Sequence, residues 1–185
     1  MDNFSIGMTV REALSERHSV RRYADTPLPE ETVMDLLWAA NGISRENGRR
    51  TAPSAVNAQD ILLYVCRADG VNRYDPVAAS LEPVTRTDIR PMMEAHNHFI
   101  YTVPLTILLV SDQTRFEPRP NNRNRDFAFM DAGMVSENIS LYCTSLGLGT
   151  VCCAPPMDLD AIRAALGLTG QQIPVLYHPV GYPAE

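Results

Sequence analysis

The sequence predicts an α+β fold in a single domain that spans residues 1–185. Segments with the apolar spacing of helices and short apolar runs of the strand type both occur along the chain. With 185 residues, 45% of them hydrophobic, the chain is long enough to bury one sizeable core. No internal repeat, low-complexity tract or linker in the sequence divides it.

Two helices are predicted near the start of the chain. Thr9 and Glu12 match a capping box, and apolar residues follow at helical spacing up to the approach to Arg17. A proline and two glutamates at positions 29–31 favour a second helix start, because proline is tolerated there and carboxylates suit the positive end of the helix dipole. A broad apolar stripe follows, and Gly42 ends this helix.

The middle of the chain is predicted to contain two buried strands and an exposed loop. Residues 61–66 are an apolar run rich in strand formers, and Asp69-Gly70 followed by residues 71–74 predicts a hairpin with a type I′ turn. Residues 105–110 form the second run. Residues 115–125 hold two prolines, three asparagines and four arginines, which predicts an exposed loop that could act as a lid.

The last third of the chain is predicted to hold a long helix, two strands and a shorter helix. Residues 126–146 suit a helix with two apolar faces, which lies either in an interface between chains or at the centre of a core. Strands are predicted at residues 150–152 and 173–180. Between them Asp158 caps a helix that runs to Leu166, with Gly167 just beyond it.

Composition excludes several functional classes. A net charge of −6 argues against nucleic-acid binding, because neutralising phosphates requires a basic face. Four cysteines, two of them adjacent, do not make a disulfide scaffold and fit a reducing compartment. No run of about 18 apolar residues indicates a membrane span. We therefore expect a cytoplasmic location, or a periplasmic one if an export leader has been removed.

The most informative segment is the R-H-S-V-R-R-Y stretch at residues 17–23. Arg17 and Arg21, with the hydroxyl of Ser19 between them, supply the fixed positive charge and the donors that a phosphate dianion requires. The stretch therefore predicts an anion cradle. The alternative is a solvated basic turn whose arginines pair with nearby acids such as Glu16 and Asp25.

A second candidate segment is the proline-started loop at residues 53–59, P-S-A-V-N-A-Q. Its small side chains would let the backbone approach a planar ligand closely, and its amides could meet ring heteroatoms. The alternative is an ordinary loop that leads into the strand at residue 61.

These segments occur together with L-L-W-A-A-N-G at residues 36–42, G-R-R-T at residues 48–51 and G-L-G-T-V at residues 147–151. In this order and at these separations they resemble the nitroreductase-like family of FMN-dependent oxidoreductases, over about residues 8–181. The resemblance implies a three-layer fold, with a mostly antiparallel central sheet flanked by helices. It also implies an intertwined homodimer with FMN at the interface.

The resemblance assigns FMN-binding roles to residues in four segments. Residues of the first segment would hold the phosphate and ribityl chain, the proline-started loop would reach the flavin of the opposite subunit, one asparagine would bond the pyrimidine edge, and the main chain near residue 153 would lie beside N5. The residues implied are Arg17, His18, Ser19, Arg21, Pro53, Ser54, Ala55, Asn57, Asn97, Cys152, Cys153 and Ala154.

The chemistry implied is carried by FMN, with no catalytic side chain and no metal. Hydride would pass from NAD(P)H through FMN to a flat, electron-poor acceptor such as a nitroaromatic or a quinone. For Cys152 and Cys153, small apolar packing is preferred over a redox pair or a soft-metal site, since no C-x-x-C motif is present. His96 and His98 form an H-x-H pair without an evident third ligand.

Several departures from the family keep other functions open. Residues 70–76 and 81–84 look closest to the azoline dehydrogenase branch, yet the chain contains no lysine and so lacks the Lys-Tyr pair of that branch. A flavin-binding module without turnover and a structural homodimer with a degenerate site are further alternatives. The chain ends without a basic tail, from which we expect weaker FMN retention, and Asp60 replaces the proline of a Q-P-W motif.

Overall fold

A six-stranded antiparallel sheet in the order β3-β2-β1-β4-β6-β5 forms the centre of the protein. The computed structural model describes residues 8–93, 98–117, 122–154 and 156–184. The strands are β1 (Ile61–Arg67), β2 (Gly70–Asp75), β3 (Ser80–Thr85), β4 (Leu105–Asp112), β5 (Gly149–Thr150) and β6 (Gln172–Gly181). The helices are α1 (Val10–Glu16), α2 (Glu30–Asn41), α3 (Asn124–Ser145) and α4 (Leu159–Leu166).

The sheet is covered on both faces, which confirms the predicted α+β fold. Alternate residues of a strand point to opposite faces, and in β4 Ile107 packs into one cluster of buried residues while Leu108 packs into the other. The first cluster includes the buried side chains of α2 and α3, and the second includes those of α4. Within the described residues, no helix is both long enough and apolar enough to cross a membrane.

Local signals in the sequence placed the helices correctly. Thr9 accepts a hydrogen bond from the amide of Glu12, whose carboxylate accepts one from the amide of Thr9, so the predicted capping box is present. Asp158 caps α4, and Gly167 ends it in the left-handed conformation. The strand predicted at residues 150–152 is shorter and earlier than expected, since β5 ends at Thr150.

The predicted two-faced character of α3 is present in the structure. One face is buried against the sheet and α2. The other face exposes Phe129, Met130 and Met134, each of which retains about half of its accessible surface (49%, 50% and 50%). A surface patch of three large apolar side chains on one helix is typical of an interaction site.

Two expectations for the connections were wrong. The described part of residues 115–125 is not one exposed loop: Phe116 is buried and packs near the ring of Phe127, and α3 already begins at Asn124. Residues 118–121, and with them the centre of the predicted lid, lie outside the described residues. The apolar content of Phe116 was outweighed by its polar neighbours in the sequence. The turn between β1 and β2 is also not of type I′, because neither of its central residues, Ala68 and Asp69, has a positive φ.

Gly70 takes its place in this hairpin for a different reason from the one predicted. It is the first residue of β2, with a φ of 138°, and β3 pairs alongside, a strand that the sequence analysis did not identify. A Cβ atom on Gly70 would lie 2.3 Å from the carbonyl oxygen of Thr85 in β3. Close approach of two backbones, as well as the φ value, therefore requires glycine here.

We expect Gly70→Ala to lower the free energy of unfolding by about 3 kcal/mol, because it adds a backbone clash to an unfavourable φ. Gly167→Ala is the matched control: its φ of 64° is also positive, but the described structure leaves open space around the added Cβ. It should cost only about 1 kcal/mol. Urea unfolding of both variants checks this, and equal losses would show that β3 moves aside to admit the methyl group.

Candidate functional site

The predicted anion cradle follows α1 and is fixed from both sides by backbone hydrogen bonds. The amide of Val20 donates to the carbonyl of Thr150 in β5 at 3.0 Å. The amide of Ala24 donates to the carbonyl of Tyr182 at 2.9 Å, and Tyr23 forms a bridge with the same segment at Pro183. The backbone between residues 20 and 24 is therefore held against the edge of the sheet.

The cationic side chains of this segment point into solvent. Arg17, Ser19 and Arg21 are exposed. In the part of the chain that the structure describes, no carboxylate lies within ion-pairing distance of either arginine. The alternative of a basic turn paired with Glu16 and Asp25 is therefore not what the structure contains.

Close packing of Val20 on β5 explains a glycine of the G-L-G-T-V motif. A Cβ atom on Gly149 would lie 2.6 Å from Cγ1 of Val20, closer than packed carbon atoms approach. The hydroxyl of Thr150 donates to the carbonyl of Pro179 at 2.8 Å, which adds a side-chain bond between β5 and β6. The motif thus brings the cradle against the end of the sheet.

The segment after β5 presents alternate residues to solvent. Cys153 pairs with Tyr177 of β6 through two backbone hydrogen bonds of 2.9 Å, and its side chain is buried, whereas Cys152 and Ala154 are exposed. Burial raises the pKa of the Cys153 thiol to about 11, with Arg21 near enough for its charge to oppose the shift. Cys153 therefore fits the packing role predicted for both cysteines, whereas the exposure of Cys152 contradicts that prediction for its neighbour. The cradle lies beside this segment.

His18 lines a groove that includes neither Arg17 nor Arg21 among its lining residues. Its ring Nδ1 donates to the carbonyl of Glu16 at 2.8 Å, and the groove has a volume of about 440 Å³ between α1 and the end of α3. Two acidic residues, Glu12 and Glu16, line the same groove. Negative charge there disfavours a phosphate, so the arginine face is the better anion site.

The second predicted segment, residues 53–59, is an irregular loop tied to α3. The amide of Ala55 donates to both carboxylate oxygens of Asp131, each at 3.0 Å. The hydroxyl of Ser54 accepts from the amide of Gln59 at 2.9 Å. Pro53 and Asn57 are exposed, which leaves them accessible to a ligand.

This loop, which we call the Pro-Ser loop, holds three non-glycine residues at positive φ. They are Val56 at 49°, Asn57 at 56° and Gln59 at 53°. The value for Val56 is a true outlier, because a branched Cβ is crowded in this region. Such strain persists only where surrounding contacts fix the backbone, and it is concentrated at functional sites.

Gln59 supplies much of that fixation. Its side-chain oxygen accepts from Nε of Arg50 at 3.0 Å, and its amide nitrogen donates to the carbonyl of Gly48 at 3.1 Å. Arg50 also donates to the carbonyl of Asn41 at the end of α2. The end of α2 and the G-R-R-T segment therefore brace the Pro-Ser loop.

The cradle and the Pro-Ser loop of one chain are well separated along α3 and along the sheet. Asp131, which holds the loop, and Thr144, which borders the groove beside the cradle, are 13 residues apart on α3, or about 20 Å at 1.5 Å per residue. The sheet gives a similar value. At the cradle end, Thr150 of β5 pairs with Val180 of β6. At the loop end, β1 begins opposite a residue of β4, and that residue pairs with Ile173 of β6. Val180 and Ile173 are about 23 Å apart along β6.

A buried histidine links α3 to the cradle. His178 in β6 is fully buried, with its Nε2 2.8 Å from Oγ of Ser136 in α3 and its Nδ1 3.0 Å from Oγ1 of Thr150. Since the Thr150 hydroxyl donates to Pro179, Nδ1 carries the hydrogen and Nε2 accepts from Ser136. Burial lowers the pKa of His178 to about 3, so the ring is neutral.

Sequence reasoning missed the polar residues that hold the site from behind. Asp131, Ser136 and His178 lie in a helix or strand of otherwise apolar pattern and are buried. A carboxylate on the buried face of a helix is the one local signal that could have indicated a partner. Asn97 and His96 lie outside the described residues, as does the side chain of His98.

Comparison with protein families gives one result that covers most of the chain. The model of the family described as Nitroreductase family matches residues 14–182.

Individual relatives agree with it. A Methanocaldococcus jannaschii protein with a provisional nitroreductase name is 29% identical over 185 residues, covering 95% of this chain and 92% of the relative. A Methanothermobacter thermautotrophicus protein named provisionally as an NADH dehydrogenase/NAD(P)H nitroreductase is 30% identical and covers 96% and 79%. A crystal structure of a provisionally named nitroreductase from Ralstonia eutropha is 32% identical, with a TM-score of 0.91, and covers 100% and 88%.

A more distant likeness concerns the fold alone. A chain of the Escherichia coli microcin synthetase complex superposes with a TM-score of 0.81 at 19% identity, covering all of this chain and 76% of the other.

We expect the wild-type protein to lose stability in acid relative to a His178→Gln variant. Between pH 6.5 and 3 the unfolded chain binds a proton at His178 that the folded protein excludes, so stability falls as the pH is lowered through this range. The difference between the two proteins should change by about 1.4 kcal/mol per pH unit below pH 6. Urea unfolding from pH 7.5 to 4.5 measures it, and parallel pH profiles would contradict the buried neutral ring.

Proposed function

The chain belongs to the nitroreductase family, and on that premise we propose that it is an FMN-dependent oxidoreductase. The family implies an oxidoreductase; the cofactor, the donor and the acceptor are the proposed parts. FMN, held by this chain, would supply the hydride-transfer chemistry between NAD(P)H and a flat, electron-poor acceptor such as a nitroaromatic or a quinone. The donor is supported by the name of the Methanothermobacter relative.

The observation that carries the proposal is the pair of exposed cations at Arg17 and Arg21, which form no ion pair with any residue that the structure describes. Their backbone is anchored at Val20, and Ser19, whose side chain is also exposed, stands between them in the sequence. Two guanidinium groups and a hydroxyl fit the phosphate of FMN in both charge and number of donors. Since no carboxylate of the described residues has to be displaced, the full charge of both arginines is available to a phosphate.

The segment after β5 is proposed to meet the flavin ring. The amide of Cys153 is already bonded to Tyr177, so the contact falls to the exposed neighbours Cys152 and Ala154. Backbone donors there would stabilise negative charge on the ring without a titratable side chain. Of the three residues at 152–154 that the sequence resemblance implied for this contact, two therefore remain in the proposal.

The Pro-Ser loop is proposed to complete the site from a second copy of the chain. A ring held beside Cys152 and Arg21 cannot also meet Asn57 of the same chain, because about 20 Å of α3 separates the two ends. In a two-fold dimer the loop of one protomer would lie near the cradle of its partner. The exposed face of α3 at Phe129, Met130 and Met134 would be covered in such a dimer.

We expect the purified protein with added FMN to show bound-flavin absorption bands that bleach on addition of NADH or NADPH without oxygen. Bleaching under anaerobic conditions supports a nicotinamide-driven flavoenzyme, and turnover with nitroaromatics or quinones then tests the acceptor. Bands that persist with both nucleotides contradict the proposed donor. Absence of bound flavin contradicts the proposal as a whole.

We expect Arg17→Ala and Arg21→Ala each to weaken FMN binding by about 2 kcal/mol, since each loses a charge-assisted phosphate contact. Riboflavin, which lacks the phosphate, should bind the variants and the wild type alike. Arg86→Ala, which removes an exposed arginine between β3 and the next segment, is the matched control and should change neither affinity. Fluorescence titration gives the constants, and unchanged FMN affinity in both variants would refute the cradle.

A further inference from the structure

Two buried carboxyl groups lie behind the Pro-Ser loop. Asp60, just before β1, is fully buried, and Asp131 in α3 is 5% exposed. Oδ2 of Asp60 accepts a hydrogen bond from the hydroxyl of Ser111 in β4 at 2.5 Å. Asp131 uses both of its oxygens to accept the amide of Ala55.

The environment of the pair is short of donors and of positive charge. Among the described residues, no donor reaches Oδ1 of Asp60, and no arginine or histidine forms an ion pair with either carboxyl group. The neighbouring polar group from β4 is Ser111, which itself accepts from Gln113, and Asp112 meets Asp60 through its backbone amide. Arg50 is engaged with Gln59 and the carbonyl of Asn41 instead.

Two ionised carboxylates cannot both be buried in such a place at low cost. Each would lose its hydration, and the two charges would repel each other in a poorly polarisable interior. The two carboxyl groups are hydrogen-bond neighbours. A proton held by Asp60 therefore removes one charge and supplies a donor between the two groups. The remaining charge then lies on Asp131, where the amide of Ala55 meets it.

We propose that Asp60 and Asp131 share one proton in the folded protein and that the protonated pair positions the Pro-Ser loop through the amide of Ala55. Both aspartates are positioning residues, because they act through the backbone of the loop. The first half concerns the protein alone, whereas the consequence for flavin binding rests on the proposed function.

The electrostatics agree with this geometry. Burial raises the pKa of Asp60 to about 7; the hydrogen bond from Ser111 opposes the rise, and Asp131 adds to it. The loop that depends on the pair is strained at Val56, Asn57 and Gln59, so its conformation requires firm anchors. The bond from Ala55 is the anchor nearest to its first strained residue.

The pair makes the loop sensitive to pH near neutrality. The folded-state pKa of Asp60 lies above its unfolded value of 3.8, so between about pH 4 and 7 the folded protein keeps a proton that the unfolded chain releases. The contribution of the pair to the free energy of unfolding therefore falls as the pH rises from about 4 to 7. A second buried charge then repels Asp131 and loosens its bond to Ala55.

The test compares the wild type with Asp60→Asn, which places a permanent donor where the proton would be and which can still accept from Ser111. We expect FMN affinity of the wild type to fall above pH 7 by up to about tenfold per pH unit relative to the variant, the limit for one linked proton. Taking the difference between the two proteins cancels titration of the FMN phosphate. Glu137→Gln, at an exposed carboxylate of the same helix, is the matched control and should follow the wild type.

A second measurement needs no flavin. Carbon-13 NMR titration of the aspartate side chains in the full-length wild-type protein should show one carboxyl group of the pair titrating near pH 7. Titration of both groups below pH 5 would overturn the shared proton, whatever happens to FMN.

The two measurements separate the possible failures. If one carboxyl group titrates near pH 7 but FMN affinity has the same pH profile in the wild type and in Asp60→Asn, the positioning role is refuted. If no FMN binds at any pH, the proposed function fails, and urea unfolding of the two proteins tests the pair instead. The free energy of unfolding of the wild type should fall from pH 5 to 7 relative to that of Asp60→Asn, a difference that cancels the titration of His178. Equal profiles in urea would refute it in that case as well.

Discussion

Burial of one face of α3 against the sheet is the constraint on which the rest of the structure depends. This helix touches α1, α2 and four of the six strands, and it runs the length of the molecule. Near its start Asp131 holds the Pro-Ser loop, in its middle Ser136 meets His178, and at its end the chain turns into β5 and the cradle. A shift of α3 would therefore move every part of the candidate site together.

The polar groups between α3 and the sheet are costly, and their cost indicates what they do. A core of aliphatic side chains in place of Asp60, Asp131 and His178 would avoid the desolvation of three titratable groups. Asp131 and His178 instead bond to segments that have no regular secondary structure or only a short strand: Ala55 in the loop and Thr150 in β5. Burying these polar groups lowers the stability of the fold, but their hydrogen bonds fix the backbone beside the proposed flavin site.

The sequence predicted those parts of the protein whose causes are local. The capping box at Thr9 and Glu12, the cap at Asp158 and the apolar run of β1 depend on residues a few positions apart, and all were found. The packing of Phe116 and the place of Gly70 depend on distant segments, and both were misread. In the site, the arginines stood out as a local charge pattern, whereas Asp131 and Ser136 acquire their roles only when α3 meets the loop and β6.

Two independent distances in the fold indicate how the cradle and the Pro-Ser loop would combine in the proposed dimer. The spacing along α3 and the spacing along β6 both separate the cradle from the Pro-Ser loop by about 20 Å, so neither a bent helix nor a local distortion of the sheet accounts for it. A two-fold axis that brings the cradle of one chain to the loop of another must run their α3 helices in opposite directions, since the cradle and the loop lie toward opposite ends of that helix. The proposed dimer would have Phe129, Met130 and Met134 available for such a contact, large apolar side chains that the fold of a single chain leaves half-exposed. The same helix that orders the core of one protomer would thus set the distance between its loop and the cradle of its partner in the proposed dimer.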